Sequence, residues 1–197
     1  MKRSETILLL PGAPGESALH ARLCAGEEAA FRSCYEQYAP RLMRLLMKMM
    51  RNQASAEEVL QETFLVAFRS IDRFRGDSRI STWLTRIAVN RAYNTLRAEA
   101  RRAKSLPQAV SETFFEPRLE DRDFARKVVA ILDSMAPAKR LALLLQANGH
   151  SAAEIAEIVA EPRGTVLARL SRSRAELSLR MSAAGLRPDG VAAEGRS

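Results

Sequence analysis

Apolar residues recur along this chain mostly in steps of three and four. From Glu27 onward they fall at Phe31, Cys34, Tyr35, Tyr38, Leu42, Leu45, Leu46 and Met49, the period of a helix buried along one face. Pro40 lies inside that run and predicts either two helices or one kinked helix. The residues before it, 1 to about 16, are punctuated by Pro and Gly and predict a loose segment. Ser55-Ala56-Glu57-Glu58 reads as a capping box opening the next helix. Val59, Leu60, Thr63, Phe64, Ala67, Phe68 and Ile71 line its inner face, while Glu58, Gln61, Glu62 and Arg69 lie on the other.

Gly76 breaks the loop Phe74 to Arg79, and Ser81 then caps a long helix reaching about Ala103. Its apolar side is Leu84, Ile87, Ala88, Ala92 and Leu96. Trp83, Arg86, Asn90, Asn94 and Arg97 follow one another at three or four residues and form a separate stripe. Polar helix faces are usually plain solvated surface. This one holds no acid and begins with the chain's single Trp. Arg and Trp stack on bases and Asn pairs with base edges, so the stripe is a candidate nucleic-acid surface.

Beyond it, Pro107, Pro117, scattered acids and Phe114-Phe115 have the composition of a linker, the two Phe being a docking point or cover for a neighbouring edge. Helical periodicity resumes at Phe124 with Val128, Val129, Ile131, Leu132 and Met135 before Pro137. Leu141, Leu144 and Leu145 follow and end at Asn148-Gly149. Ser151 to Glu154 is a second capping box, opening a short helix with Ile155, Ile158 and Val159 inward. That helix stops at a Pro/Gly turn, and the next carries Arg163, Thr165, Arg169, Arg172, Arg174 and Arg180 outside an inner row of Val166, Leu170 and Leu177. A helix-turn-helix with a basic second helix is the arrangement that sets one helix in a DNA major groove.

Charge sharpens this picture. Residues 69–104 hold ten Lys/Arg against three Asp/Glu, and residues 105–125 hold two Arg against five acids. The formal charge of +8 favours a polyanion, and nucleic acid before membrane. Aromatics are only 6 % and hydrophobic residues 47 %, which favours an all-α fold with real cores. The run Ile7 to Leu10 after Lys2-Arg3 is too short for a signal sequence, and no stretch is long enough to span a bilayer, so a cytoplasmic protein without membrane insertion is expected. Cys24 and Cys34 are too few for a disulfide framework or a zinc site; Cys34 is expected buried, and a redox or metal role for Cys24 with His20 has little support.

The segments Glu57 to Phe68, Phe74-Arg75-Gly76, Ser81-Thr82-Trp83-Leu84 and Ile87 to Asn90 resemble region 2 of bacterial sigma factors of the extracytoplasmic-function group. Ser151 to Leu177, with Glu154-Ile155-Ala156 and Gly164-Thr165-Val166, resembles region 4. The resemblance covers about residues 27–104 and 124–181. It implies that Glu58, Gln61 and Glu62 dock on the largest subunit of core RNA polymerase. Phe74, Arg75, Arg79, Trp83, Arg86, Asn90, Asn94 and Arg97 would bind the downstream promoter element and help open it. Arg163, Thr165, Arg169 and Arg172 would read the upstream element. The acidic linker would thread toward the active cleft, and an anti-sigma factor is a further implied partner. The resemblance breaks at two places: Leu167-Ala168 stands where a basic residue and a small polar one are usual in the family, and Arg86 stands where housekeeping relatives carry an aromatic wedge, which implies weaker melting.

The expected organisation is an N-terminal extension 1–26, region 2 over 27–104, a flexible linker 105–123, region 4 over 124–181 and a disordered tail 182–197. Two other classes compete. A free-standing helix-turn-helix regulator would be a symmetric dimer, and neither the Glu58 face nor the Trp83 stripe would have a role in it. A nucleic-acid enzyme has little to work with: two His, no Walker-type loop and no carboxylate cluster, so no catalytic residue, metal ligand or cofactor is expected.

Overall fold

A computed structural model describes residues 14–50, 52–103 and 122–186. All regular structure among these residues is helical, and the chain divides into two compact units.

The first unit is built from α1 (Pro14–Cys24), α2 (Glu28–Met50), α3 (Gln53–Arg69), a 3-10 turn (Ile71–Arg73) and α4 (Ile80–Ala103). Helices α2, α3 and α4 pack on one another in all three pairings. Cys34, Leu42, Leu45, Leu46, Val59, Phe64, Ala67, Leu84, Ala88, Val89 and Ala92 fill the space between them. Most of the periodic stripes bury as their spacing predicts, with Phe31, Phe68, Ile87 and Leu96 only half-buried, and Cys34 is buried with them, its thiol pushed up to about 12 by desolvation. Tyr35 is the most open member of the α2 stripe: it is 43 % exposed and leans on the Phe64 ring at 4.8 Å.

Several local expectations change. Helix α2 is continuous through Pro40, so of the two expected outcomes the division into two helices is ruled out and a single helix stands. Pro40 sits on the exposed side of α2 and cannot donate to the carbonyl four residues back. Ser55 is not the cap of α3. Asn52 is, its side chain accepting from Ser55 N at 3.0 Å, and the Ser55 hydroxyl instead donates to Glu99 of α4 at 2.8 Å. Ser81 lies one residue inside α4, where its carbonyl accepts from Thr85 Oγ1 at 2.7 Å.

The largest difference is α1, in a stretch expected to be loose up to about residue 16 and otherwise an extension. Proline is tolerated in a first helical turn because its missing N–H has no intrahelical partner there, so Pro14 opens α1 instead of blocking it. The helix docks on α2 and the 3-10 turn through Leu23, which is 1 % exposed. The Tyr38 hydroxyl donates to the buried Glu16 carboxylate at 3.4 Å, and burial beside that acid raises the phenol. Replacing Leu23 by Ala should therefore cost about 2–4 kcal/mol, as for other fully buried Leu. Urea unfolding of the full chain checks this; a loss under about 0.5 kcal/mol would mean α1 is not part of the core.

The second unit contains α5 (Arg122–Ser134), α6 (Pro137–Ala147), α7 (Ala152–Val159) as far as Ala156, and α8 (Arg163–Ala183). Helix α8 packs chiefly on α6 and then on α5. Leu141, Leu145, Ile155, Val166 and Leu170 are buried. Ser151 and Glu154 do form a reciprocal capping box: Ser151 N donates to the Glu154 carboxylate at 2.8 Å and Glu154 N to Ser151 Oγ at 3.3 Å. Lys139 reaches Glu176 at 2.6 Å, tying α6 to α8, Arg180 pairs with the same carboxylate within α8 at 2.6 Å, and Lys139 holds the Glu176 carboxyl below its usual range.

The tail is expected from residue 182, but the fold continues past it. Helix α8 runs to Ala183, Gly185 takes φ 70°, and Leu186 N bonds back to Met181 O at 2.8 Å while Gly185 N bonds to Ser182 O at 3.0 Å. That is a Schellman cap, with Leu186 folded in at 8 % exposure. Most of the linker with Phe114 and Phe115, the Ile7 to Leu10 run and residues 187–197 lie outside the described residues.

The turn of the helix-turn-helix also differs from its expected make-up. Gly164 is already the second residue of α8, and the chain reverses at Ala160, at φ 55° the one non-glycine with positive φ among the described residues. Glu161 N bonds back to Ala156 O at 3.0 Å, the same cap geometry that glycine makes elsewhere in the chain. A side chain in this region costs about 1–2 kcal/mol. Ala160→Gly should accordingly stabilise the unit by about 1 kcal/mol, read as a higher melting temperature of the full chain. A lower one would show that Ala160 makes a compensating contact.

Candidate nucleic-acid interface

The stripe on α4 is a single continuous row. Arg86, Asn90, Asn94 and Arg97 are all exposed, and Trp83 is half-buried at its head. Arg101 extends the row by one more turn, with Nε bonded to Arg97 O at 3.3 Å; it keeps the same spacing and is a member the sequence-based stripe leaves out. The helix's one acid, Glu99, is turned away from the row toward Ser55 of α3. Nothing anionic therefore interrupts the row, and its field stays positive.

Trp83 is held from beneath. Its ring lies 4.9 Å from Phe74 at an interplanar angle of 31°, and Phe74 in turn meets the edge of His20 from α1 at 5.1 Å and 88°. Phe74, expected at the DNA surface, is 7 % exposed and so lies under that surface rather than on it. The packed rings fix where the indole stands, an arrangement that lowers the ordering cost of a stacking contact. Arg75 is exposed in the loop beyond, next to Gly76 at φ 78°, and Arg73 is exposed just before it. Arg79 is half-buried at the foot of α4, its carbonyl accepting from Trp83 N at 3.0 Å. The Cys24 Sγ lies 3.3 Å from His20 Nε2, and no group of three or more metal-type ligands exists among the described residues.

On α3 the face expected to dock is only partly open. Glu58 and Gln61 are exposed, but Glu62 is half-buried and pairs with Arg91 of α4 at 3.2 Å. One turn beyond Gln61 stands Leu65, 54 % exposed. Its signal in the sequence is an apolar residue lying outside the buried stripe, and the expected docking set does not include it.

On α8, Arg163, Thr165 and Arg172 are exposed. Arg169 is not presented in the same way: its guanidinium is 2.6 Å from Glu161, tying the helix to the turn before it. The hydroxyl of Ser173 donates to Arg169 O at 2.7 Å on the buried side. Val166 and Leu170 anchor the helix from within, so its first three turns can meet a groove while the core stays intact.

An acid-free basic stripe on one helical unit, with a basic helix-turn-helix on the other, is the charge pattern of a DNA-binding protein. The Sigma-70 region 2 model matches residues 34–102, and the Sigma-70 region 4 model matches residues 125–177. The chain is 32 % identical over 173 residues to the ECF RNA polymerase sigma-E factor of Salmonella typhimurium, spanning 81 % of this chain and 90 % of that one. It is 31 % identical, with the same coverage, to the RNA polymerase sigma-H factor of Pseudomonas aeruginosa. The sigma factor RpoE of Bartonella quintana, solved with the anti-sigma factor NepR, shares the fold at a TM-score of 0.67, with 23 % identity over 77 % of this chain and 96 % of that one. CnrH, solved with the cytosolic domain of CnrY, does so at 0.67 and 24 % identity over 85 % and 97 %.

The chain belongs to the extracytoplasmic-function group of RNA polymerase sigma factors. As such it works with core polymerase and promoter DNA in transcription initiation. Among the described residues no helix is long and apolar enough to cross a membrane.

Proposed function

We propose a division of labour between the two units. The α4 row Trp83, Arg86, Asn90, Asn94, Arg97 and Arg101, with Arg75 and Arg79 of the preceding loop, captures the downstream element as it opens. Helix α8, through Arg163, Thr165 and Arg172, reads the upstream element as duplex. Glu58, Gln61 and Leu65 dock on core polymerase. The observation that carries this is the uninterrupted, acid-free row on α4 beginning at an indole packed at a tilt against Phe74. Opening DNA costs a few kcal/mol per unpaired base, which a preformed stacking platform and backbone-holding cations offset.

Phe74, Arg169 and Glu62 take supporting places in this scheme. Phe74 positions Trp83, Arg169 braces the turn through Glu161, and Glu62 sets the α3–α4 register through Arg91. The protein acts in the cytoplasm as a dissociable specificity subunit without chemistry of its own, and the two segments joined by residues 105–123 act as separate promoter readers. Both solved relatives named above are complexes, that of RpoE with an anti-sigma factor, and an anti-sigma factor is proposed to hold this chain as well.

The duplex-reading half is tested by salt. Removing one cation that neutralises a phosphate should flatten the salt dependence of binding by about one unit of logarithmic slope. Arg172→Ala combined with Arg163→Ala is expected to lower the slope of holoenzyme binding by about two on a promoter carrying the upstream element. An unchanged slope would remove α8 from the duplex interface.

A further inference from the structure

The solvent face of α8 from Arg163 to Arg174 has no acid, yet it is not uniformly polar. Leu167 stands on it 48 % exposed. It is the fifth residue of the helix, with Ala168 beside it and Arg163, Gly164 and Ser171 one turn away on the same side. The core side is occupied separately by Val166, Leu170 and Ser173. The N-terminal turns of a recognition helix are the ones that meet base edges. Gly164, Ala168 and Ser171 are small, so the helix backbone can approach closely, and the exposed Arg163 and Arg172 supply charge complementary to the phosphates.

An isobutyl group at that place gains nothing from the donors and acceptors of the groove floor. The one apolar group that a base pair shows in the major groove is the thymine C5-methyl. We propose that Leu167, with the Ala168 methyl next to it, reads thymine methyl groups in the upstream promoter element and so sets part of this protein's promoter choice. This rests on the reading of α8 as the duplex-reading helix.

The test uses holoenzyme assembled with the full chain. Footprinting first defines the upstream protected segment. Each thymine in it is then replaced singly by deoxyuridine, which removes the methyl and nothing else. At one or more positions uridine should weaken binding by about fourfold, the equivalent of one methyl-sized group withdrawn from burial. Leu167→Ala should weaken binding to the thymine promoter by a similar or larger factor and should no longer distinguish thymine from uridine there. Leu167 is exposed, so this variant keeps the fold. Equal binding of every uridine promoter, discrimination that survives in the variant, or a protected segment without thymine would each overturn the proposal while leaving α8 as the duplex reader. Absence of any upstream protection by the parent holoenzyme would overturn both.

Discussion

A Trp83→Ala, Asn90→Ala variant is expected to bind core polymerase and protect the upstream element as the parent does, yet to lose permanganate reactivity of the downstream thymines. Base–aromatic stacking contributes about 1–3 kcal/mol and a good base-edge pair a similar amount. Losing both should lower the open-complex fraction by about thirtyfold or more, since every 1.4 kcal/mol is tenfold. Leu84, Ala88 and Ala92 are buried on the other side of α4 and Asn90 is exposed, so the helix keeps its core and the half-buried Trp83 gives up its contact with Phe74. On a template with a pre-melted bubble the variant should recover much of its activity, since the unpairing cost has been removed beforehand. Melting of linear promoter DNA at the parental level would reduce the row to an ordinary solvated face.

Reversing the open part of the α3 face should have an equally large effect on assembly. With Glu58→Lys and Gln61→Lys together, affinity for core polymerase is expected to fall by about a hundredfold or more, the scale at which central interface residues act. Both side chains are exposed and on the outer side of α3, so the melting temperature should move little. Glu62 is left out of this variant because its reversal would also break the pair with Arg91 and set two cations against each other across α3 and α4. Leu65→Ala offers a milder companion, removing an exposed apolar side chain without changing charge. Undiminished affinity of the double reversal in a core-binding titration would place the docking surface elsewhere on the chain.

The same pair of surfaces shows what is legible in the sequence. Burial follows period, and period is local, so most of the inner faces of α2, α3, α4, α6 and α8 can be read from spacing alone, as can the acid-free row on α4, although Ile87, Leu96 and Leu177 are only half-buried and Val89 and Leu143 are buried outside the expected rows. The Ser151–Glu154 box is legible for the same reason. What the sequence does not show is which polar groups find partners on another helix. Glu62 and Arg169 look as open as Gln61 and Arg172 until Arg91 and Glu161 are brought to them by the fold. Phe74 looks like a loop aromatic until it is seen to lie beneath Trp83.

End signals mislead where two rules compete for one stretch. Pro14 and Gly15 read as breakers, although Pro at a helix start is well tolerated, and α1 with its buried Leu23 lies behind them. Asn52 and Ser55 are both good caps, three residues apart, and the structure uses the first. Gly185 reads as the start of a loose tail and is instead the left-handed residue that closes α8.

The central question is whether this chain gives core polymerase a promoter. Purified full-length protein added to core polymerase should form a one-to-one complex and produce discrete run-off transcripts from genomic fragments, with none from core alone. Failure to bind core, together with a symmetric dimer in solution that protects a palindromic site without polymerase, would contradict this and make the chain a free-standing regulator.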